Sequence, residues 1–393
     1  SNSGGLLVSQ YRQNNTLPGP ATVSLAGVLP TVTGVVADPR LEVGALASSS
    51  VLDGCEALLS QLWGVGPAVT ADRRYEIASF GLTMQSALVQ QVVTQTNTAV
   101  TNLNTALNGL LGPTGGIATT VRTQLGVSVA GLVGISLGAT TGTVSLSGLN
   151  LTSAVSPLLT QPVADDVVSI DLGTGRITVD LARLLNGPNG LNSLAPNTEL
   201  VLNAAVVNNI LNRVDTLLAT RITQITNALN TAVRAATLTI NLETGLNLMV
   251  LGSPVAVAKP TVTLNATLGS VMDGTAPFTV ALNLLPGAGT LLGALLTPLT
   301  NAISGLTTSL VTPVANTVKN GVTPIITGLG TSLTTVRTQL VSALGTVLSP
   351  LPGVLSIRVN VQPDQPFAPD PGDYIPASDR ATAEYKVTAL RVG

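Results

Sequence analysis

The sequence predicts an α+β fold, β-dominated, in which antiparallel sandwich-like sheets are accompanied by long uncharged amphipathic helices. Three observations predict it. Apolar residues alternate with Thr, Ser or Asn over many short windows, the period of a half-buried strand. Longer windows carry apolar residues at three- and four-residue spacing, the period of a helix face. The charge that covers an ordinary surface is missing: 17 basic and 19 acidic residues make 9% of 393, against about 25% in a typical soluble domain.

Taken in order, the first 50 residues read as an extended segment. Thr22-Val23-Ser24-Leu25-Ala26 alternates, and Pro18, Pro20, Pro30 and Pro39 punctuate it. Such a segment forms no core alone, so a sheet edge is its natural docking place. Residues 51–202 read as a first unit of helix plus strands. Its helix, over 82–111, is set by Val89, Val92, Val100, Leu103, Leu107 and Leu110 and stopped by Gly112-Pro113. Strands follow over 127–137 and 143–151, and Gly173-Thr174-Gly175 joins 167–172 to 176–181 as a hairpin. Residues 203–286 repeat the order: a helix over 204–235 behind an Asn203 cap, then strands over 237–242, 246–251, 261–268 and 278–284. Residues 287–393 hold a third helical stretch, 287–348. Thr297-Pro298, Thr312-Pro313 and Thr323-Pro324 divide it, because Thr caps a helix and Pro suits its first turn. Strands over 355–361 and 383–392 close the chain around a loop rich in Pro and Asp, 363–379. The four stretches are equally consistent with one continuous elongated fold. The heptapeptide Thr119-Thr120-Val121-Arg122-Thr123-Gln124-Leu125 returns as residues 334–340, a hint of internal duplication.

The same composition removes function classes. There is no histidine, which excludes His-dependent triads, His zinc sites and the commonest general base. No catalytic residue and no cofactor is expected, and no small-molecule substrate. Asp165-Asp166, the one adjacent carboxylate pair, reads as a solvated loop, since neighbours on an extended chain face opposite ways. A net charge of −2 with no basic block gives phosphate nothing to bind, so nucleic acid is not an expected partner. Aromatics are 2% of the chain and Trp63 is the one tryptophan, too few for stacking platforms. The one cysteine, Cys55, allows no internal disulfide and reads as buried and inert. Asp364, Asp370, Asp373 and Asp379 crowd one loop and are a weak calcium candidate, as against ordinary turn chemistry beside Pro and Gly. Gly131-Leu132-Val133-Gly134 lacks the Lys of a phosphate loop and reads as a strand kink. Arg73-Arg74 with Glu76 reads as a solvated helix start. Residues 77–164 hold a single charge, Arg122, and 274–357 hold two, Lys319 and Arg337, yet Thr, Asn, Gly and Pro interrupt every apolar run. No transmembrane span is read.

Residues 175–201, from Gly-Arg-Ile-Thr-Val-Asp-Leu-Ala-Arg-Leu-Leu-Asn-Gly-Pro-Asn-Gly to Thr-Glu-Leu-Val, resemble the centre of the actinobacterial choice-of-anchor G surface proteins. Tyr385-Lys386-Val387-Thr388-Ala389-Leu390-Arg391-Val392 is similar to their closing strand. The resemblance implies an exported protein held at the cell exterior, and it brings no catalytic residues. A first residue other than Met fits a removed leader. The ending at Gly393 carries no sorting motif or apolar tail, so retention is expected through assembly with copies of the chain.

Little charge means little repulsion between copies, and strands without Lys leave sheet edges open to another strand. The expectation is a secreted, self-assembling structural chain, a homopolymer. Its candidate interface is the N-terminal segment acting as a donor strand through Leu6, Leu7, Val8, Val23, Leu25, Val28 and Leu29. The alternative is a monomeric adhesin or binding module displayed at the surface.

Overall fold

The computed structural model describes residues 20–29, 35–64, 71–368 and 386–393. Fifteen strands are described. They are β1 (Ala21–Ser24), β2 (Ala37–Val43), β3 (Leu46–Leu52), β4 (Ala71–Ile77), β5 (Phe80–Gln85), β6 (Ile135–Ser147), β7 (Val163–Ala164), β8 (Val168–Asp171), β9 (Arg176–Asp180), β10 (Thr198–Leu200), β11 (Thr237–Val250), β12 (Ser253–Thr267), β13 (Thr279–Leu284), β14 (Ile357–Val361) and β15 (Thr388–Val392). The helices of ten residues or more are α1 (Gly54–Trp63), α2 (Ala87–Leu110), α3 (Gly116–Val129), α4 (Leu151–Thr160), α5 (Ala204–Ala235), α6 (Leu296–Ser309) and α7 (Val311–Leu348). The fold is α+β, and every strand pairing among the described residues is antiparallel. The balance differs from the expected β predominance: 48% of the described residues are helical and 30% lie in strands. The excess lies in α1, α3 and α4, where no helix was expected.

Contacts divide the chain into two compact units, each gathered from distant segments: 1–91 with 161–219 and 336–393, and 92–160 with 220–335. The first unit holds a six-stranded sheet in the order β1-β2-β5-β9-β8-β7, the three-stranded β10-β14-β15 and the hairpin β3-β4. Its core is Leu41, Phe80, Leu82, Met84, Ile170, Leu172, Ile177 and Leu181, all fully buried. Each such side chain contributes about 1.5–3 kcal/mol over its exposed state. Arg176 of β9 is paired with Glu42 of β2 on the other side of β5. The Gly173-Thr174-Gly175 hairpin forms as expected, and the Asp171 carboxylate accepts the Gly173 and Thr174 N–H groups at 2.9 and 3.2 Å to hold it.

The second unit is built on the four-stranded sheet β13-β12-β11-β6. The alternation in β11 sends Leu238, Ile240, Leu242 and Leu246 inward and leaves Thr239 and Asn241 outward. The strands expected at 237–242 and 246–251 are one strand with a bulge beside Gly245, where the register shifts against both neighbours. Helix α3 packs against β6 and α6, and α6 against β13. Ile117, Val121, Leu125 and Val129 of α3 are buried at four-residue spacing. That spacing outweighs the short alternation after Gly126, so residues 127–129 are helical where a strand was expected.

Helix α5 starts where expected: the Asn203 side-chain carbonyl accepts the Val206 N–H at 3.0 Å, capping an otherwise orphan donor. Thr297-Pro298 and Thr312-Pro313 lie in the first turns of α6 and α7, as expected of start signals, whereas Thr323-Pro324 sits inside α7 and does not break it. Both copies of the repeated heptapeptide are helical, with Val121 and Leu125 matched by buried Val336 and Leu340. By length and composition the run 288–354 is apolar enough to cross a membrane, with 22% of its most apolar window buried. In the fold it is not one span, since α6 and α7 are separate helices that meet at Leu310.

Candidate functional site

The N-terminal residues expected at an interface divide. Val23 lies in β1, which docks on β2 as the edge strand of its own sheet, with Val23 opposite Leu41. Val23 and Val28 are exposed, while Leu25 and Leu29 are buried within the unit. An interface through Leu25 or Leu29 therefore requires this segment to leave its place. Leu6, Leu7 and Val8 lie outside the described residues.

The densest polar constellation lies in the first unit, where β4, the segment 191–197 and the chain after β14 meet. Arg73, with a side chain 6% exposed, donates from both terminal nitrogens to Asp364 at 2.7 and 2.8 Å and from one of them to Gln362 at 2.6 Å. The Tyr75 hydroxyl donates to the Leu191 carbonyl at 2.9 Å and accepts from the Leu194 N–H at 2.7 Å. Burial raises the Tyr75 hydroxyl above the ordinary phenol pKa, with the Leu194 bond acting the other way. Asn197 donates to the Gln362 and Pro366 carbonyls at 2.9 and 3.0 Å and accepts the Gln362 N–H at 2.8 Å. Four residues here have left-handed backbones: Ser193, Asn197, Asn360 and Phe367, at φ of 62°, 58°, 52° and 64°. Asn tolerates that region; Ser and Phe are strained in it. Beside the clasp opens a cleft of about 640 Å³ whose rim carries Phe367, 86% exposed, and the Glu199–Arg358 pair at 3.2 Å. Its donors and acceptors suit holding a loop or receiving a polar group.

This clasp decides the calcium candidate at Asp364. Its carboxylate faces a cation already, the Arg73 guanidinium, so it is a partner in a bidentate ion pair. Asp370, Asp373 and Asp379 lie outside the described residues, and no group of three acidic or Cys side chains able to hold a metal occurs among the described ones. Arg73 and Arg74 stand in β4 and not at a helix start; Arg74 pairs with Asp72 at 3.1 Å. Asp165 and Asp166 share Arg213, at 2.9 and 2.7 Å. Asp165 also accepts the Val167 and Val168 N–H groups at 2.8 and 2.7 Å. Burial acts to raise the Asp165 carboxyl, but those bonds and Arg213 hold it below the usual carboxylate range. Cys55 is exposed and not buried: it sits in the first turn of α1, where Asp53 accepts its N–H at 3.0 Å. The apolar side chains Leu58, Leu59, Leu62 and Trp63 of α1 are exposed as well.

The feature that sequence reading missed is an edge. Strand β6 is bonded to β11 and ends its sheet, so one side of its 13 residues has no partner strand among the described residues. It holds no charged residue and no proline. Val144 faces inward, and Thr141, Thr143, Ser145 and Ser147 are exposed. One carbonyl, that of Val144, accepts the Gly112 N–H at 3.0 Å. Gly142, at φ 115°, needs to be glycine, since a Cβ there would stand 2.1 Å from the Asn241 carbonyl oxygen. The signal in the sequence was the uncharged alternating run itself; its position at the end of a sheet depends on pairing with β11, a hundred residues away.

No curated protein and no solved structure matches this chain. A protein family described as a domain of unknown function, DUF8394, matches residues 1–393. With that match covering its whole length, the chain belongs to the DUF8394 family.

Proposed function

We propose that this chain is a non-enzymatic structural subunit of the bacterial cell exterior that assembles with copies of itself into a filament or layer. The observation that carries the reading is the β6 edge: a long row of backbone donors and acceptors without the Lys or Pro that blunts sheet edges elsewhere. Another strand is the partner that such a row fits, and a second β6 supplies one whose Thr and Ser side chains pair well across an antiparallel ladder. A net charge of −2 over 393 residues opposes the approach of copies weakly. Export and surface location draw their support from the likeness of residues 175–201 and 385–392 to choice-of-anchor G proteins. The second reading, a displayed binding module acting as a monomer, is favoured by the cleft beside Phe367.

Negative-stain microscopy and light scattering at neutral pH and physiological salt separate the two. Regular filaments or sheets support assembly. A monodisperse particle of the 39.6 kDa chain mass overturns it and favours the binding module.

A further inference from the structure

The β11–β12 hairpin ends in a turn that water does not explain. Leu251-Gly252 closes it, with the Val250–Ser253 pair below and φ values of 51° and 85° at the two turn residues. Turns of this kind need two left-handed residues, and Asn-Gly is the ordinary solution in water. Here the first position is a leucine, strained and 102% exposed, so no neighbour in the fold rewards it. The residues around it are of one kind. All eight from Met249 to Ala256 are exposed, and Met249, Val250, Pro254 and Val255 are apolar. The Met249 N–H donates to the Gly134 carbonyl at 2.7 Å, which sets the turn holding exposed Val133 against the same tip. No charged residue occurs from 244 to 258 or from 123 to 164. The nearest charges along the hairpin, Lys259 and Glu243, neutralise each other at 2.9 Å, about 25 Å from the apex at strand rise.

We infer that this tip inserts into the apolar layer of a lipid surface, with Leu251 entering first. Three properties select lipid over a second copy of the chain. Eight residues at a hairpin end fall short of the roughly 20–30 a side of a stable protein interface. A bilayer asks for no shape complementarity, only apolar area, and a neutral tip meets a neutral membrane without desolvating a charge. The strands below the apex pair with each other, so the backbone groups that face across the hairpin enter already bonded. This is shallow attachment, distinct from a spanning helix.

The test is flotation of the full chain with vesicles of phosphatidylcholine, against the variant Leu251→Asn. Asparagine relaxes the left-handed turn, so the variant is expected to fold with an unchanged or raised Tm. The wild type is expected to float, insensitive to salt, and the variant's lipid partitioning to fall about tenfold to a hundredfold, the transfer preference of one buried leucine. Floating is upward and self-assembly sinks, so this reading and the assembly reading fail separately. Three results overturn it: a wild type that stays with the dense fractions, a variant that floats equally well, or binding that disappears in high salt. Concentration-dependent association that Leu251→Asn abolishes in the absence of lipid, with no flotation, would assign the tip to a second copy instead.

Discussion

Arg73 and Asp364 are 291 residues apart in the chain and share a bidentate pair in which the arginine is almost wholly buried. Burial by itself pushes the Asp364 carboxyl up; the Arg73 bond and charge, with the backbone and Gln365, outweigh it and hold it below the ordinary carboxylate range. A carboxylate with a depressed folded pKa contributes stability that is complete above its unfolded value, near 3.9, and is lost as pH falls through the folded one. Asp165 and Asp171 shift in the same direction and act in the same window. Asp364→Asn is therefore expected to destabilise the fold by about 1.5–3 kcal/mol at pH 7, the range for a hydrogen bond to a charged group. The deficit against wild type should shrink below about pH 4, where wild type loses the same charge. Urea unfolding at pH 7 and pH 3 reads both numbers; a deficit that stays constant across them would show that the pair's charge contributes nothing. Leu251 is the opposite case at this scale. Its left-handed backbone costs about 1–2 kcal/mol with no contact to offset it, the mark of a residue kept for something outside the fold. Sequence alone disclosed neither residue's role. Asp364 looked like one of four acids in a loop because its partner lies in β4, and Leu251 looked like the end of a strand because nothing in its side chain announces a positive φ.

At the scale of elements, the helices explain how a chain so poor in charge keeps long helical surfaces. In α2 the hydroxyls of Thr96, Thr98, Thr101 and Thr105 donate to the carbonyl four residues back, at 2.7–3.1 Å. In α7 those of Thr317, Thr331, Thr334 and Thr335 do the same. Each threonine thus satisfies its donor on its own helix, and all but the buried Thr96 present a methyl group and an oxygen toward the surface, polar yet neutral. Thr323-Pro324, which has the form of a helix start, lies inside α7 and leaves it continuous. A single proline inside a helix removes one backbone donor, and 38 residues with a fully buried stripe at Val314, Val318 and Val322 outlast that loss. Both ends of α5 were legible: it begins at the residue after Asn203, as its cap predicts, and ends at Ala235 as its periodicity predicts, whereas α2 starts at Ala87, five residues after the expected 82, because 80–85 is the strand β5. Asn203→Ala is expected to lower stability by about 1 kcal/mol without changing helix content, and thermal unfolding followed by circular dichroism measures both. An unchanged Tm would mean that packing, and not the cap, sets where α5 starts.

For the molecule as a whole, the serial reading of helix-then-strands describes the order of the chain and not its packing. Most elements were visible locally, because periods of two and of three to four are local properties. The units were not, because β5 lies between β2 and β9 and β10 pairs with β14 across 157 or more residues of sequence, joins that periodicity does not encode. The same limit governed the assembly edge. The N-terminal segment was the visible candidate, yet β1 is already paired in its own sheet and Leu25 and Leu29 belong to the core. Two variants now divide the routes by which copies join. Thr143→Lys places a charge on the exposed face of β6, beside the buried Val144, so it should fold normally and stop assembly if β6 is the edge that pairs. Removal of residues 1–19 leaves β1 and its pairing with β2 intact, and should stop assembly if the donor is the segment with Leu6, Leu7 and Val8. Light scattering and negative stain on the two variants beside wild type give the answer. Loss with Thr143→Lys alone assigns the contact to β6, and loss with the truncation alone assigns it to the donor strand. Assembly that persists in both would remove strand pairing as the mechanism and turn attention to the exposed apolar side chains of α1, Leu58, Leu59, Leu62 and Trp63.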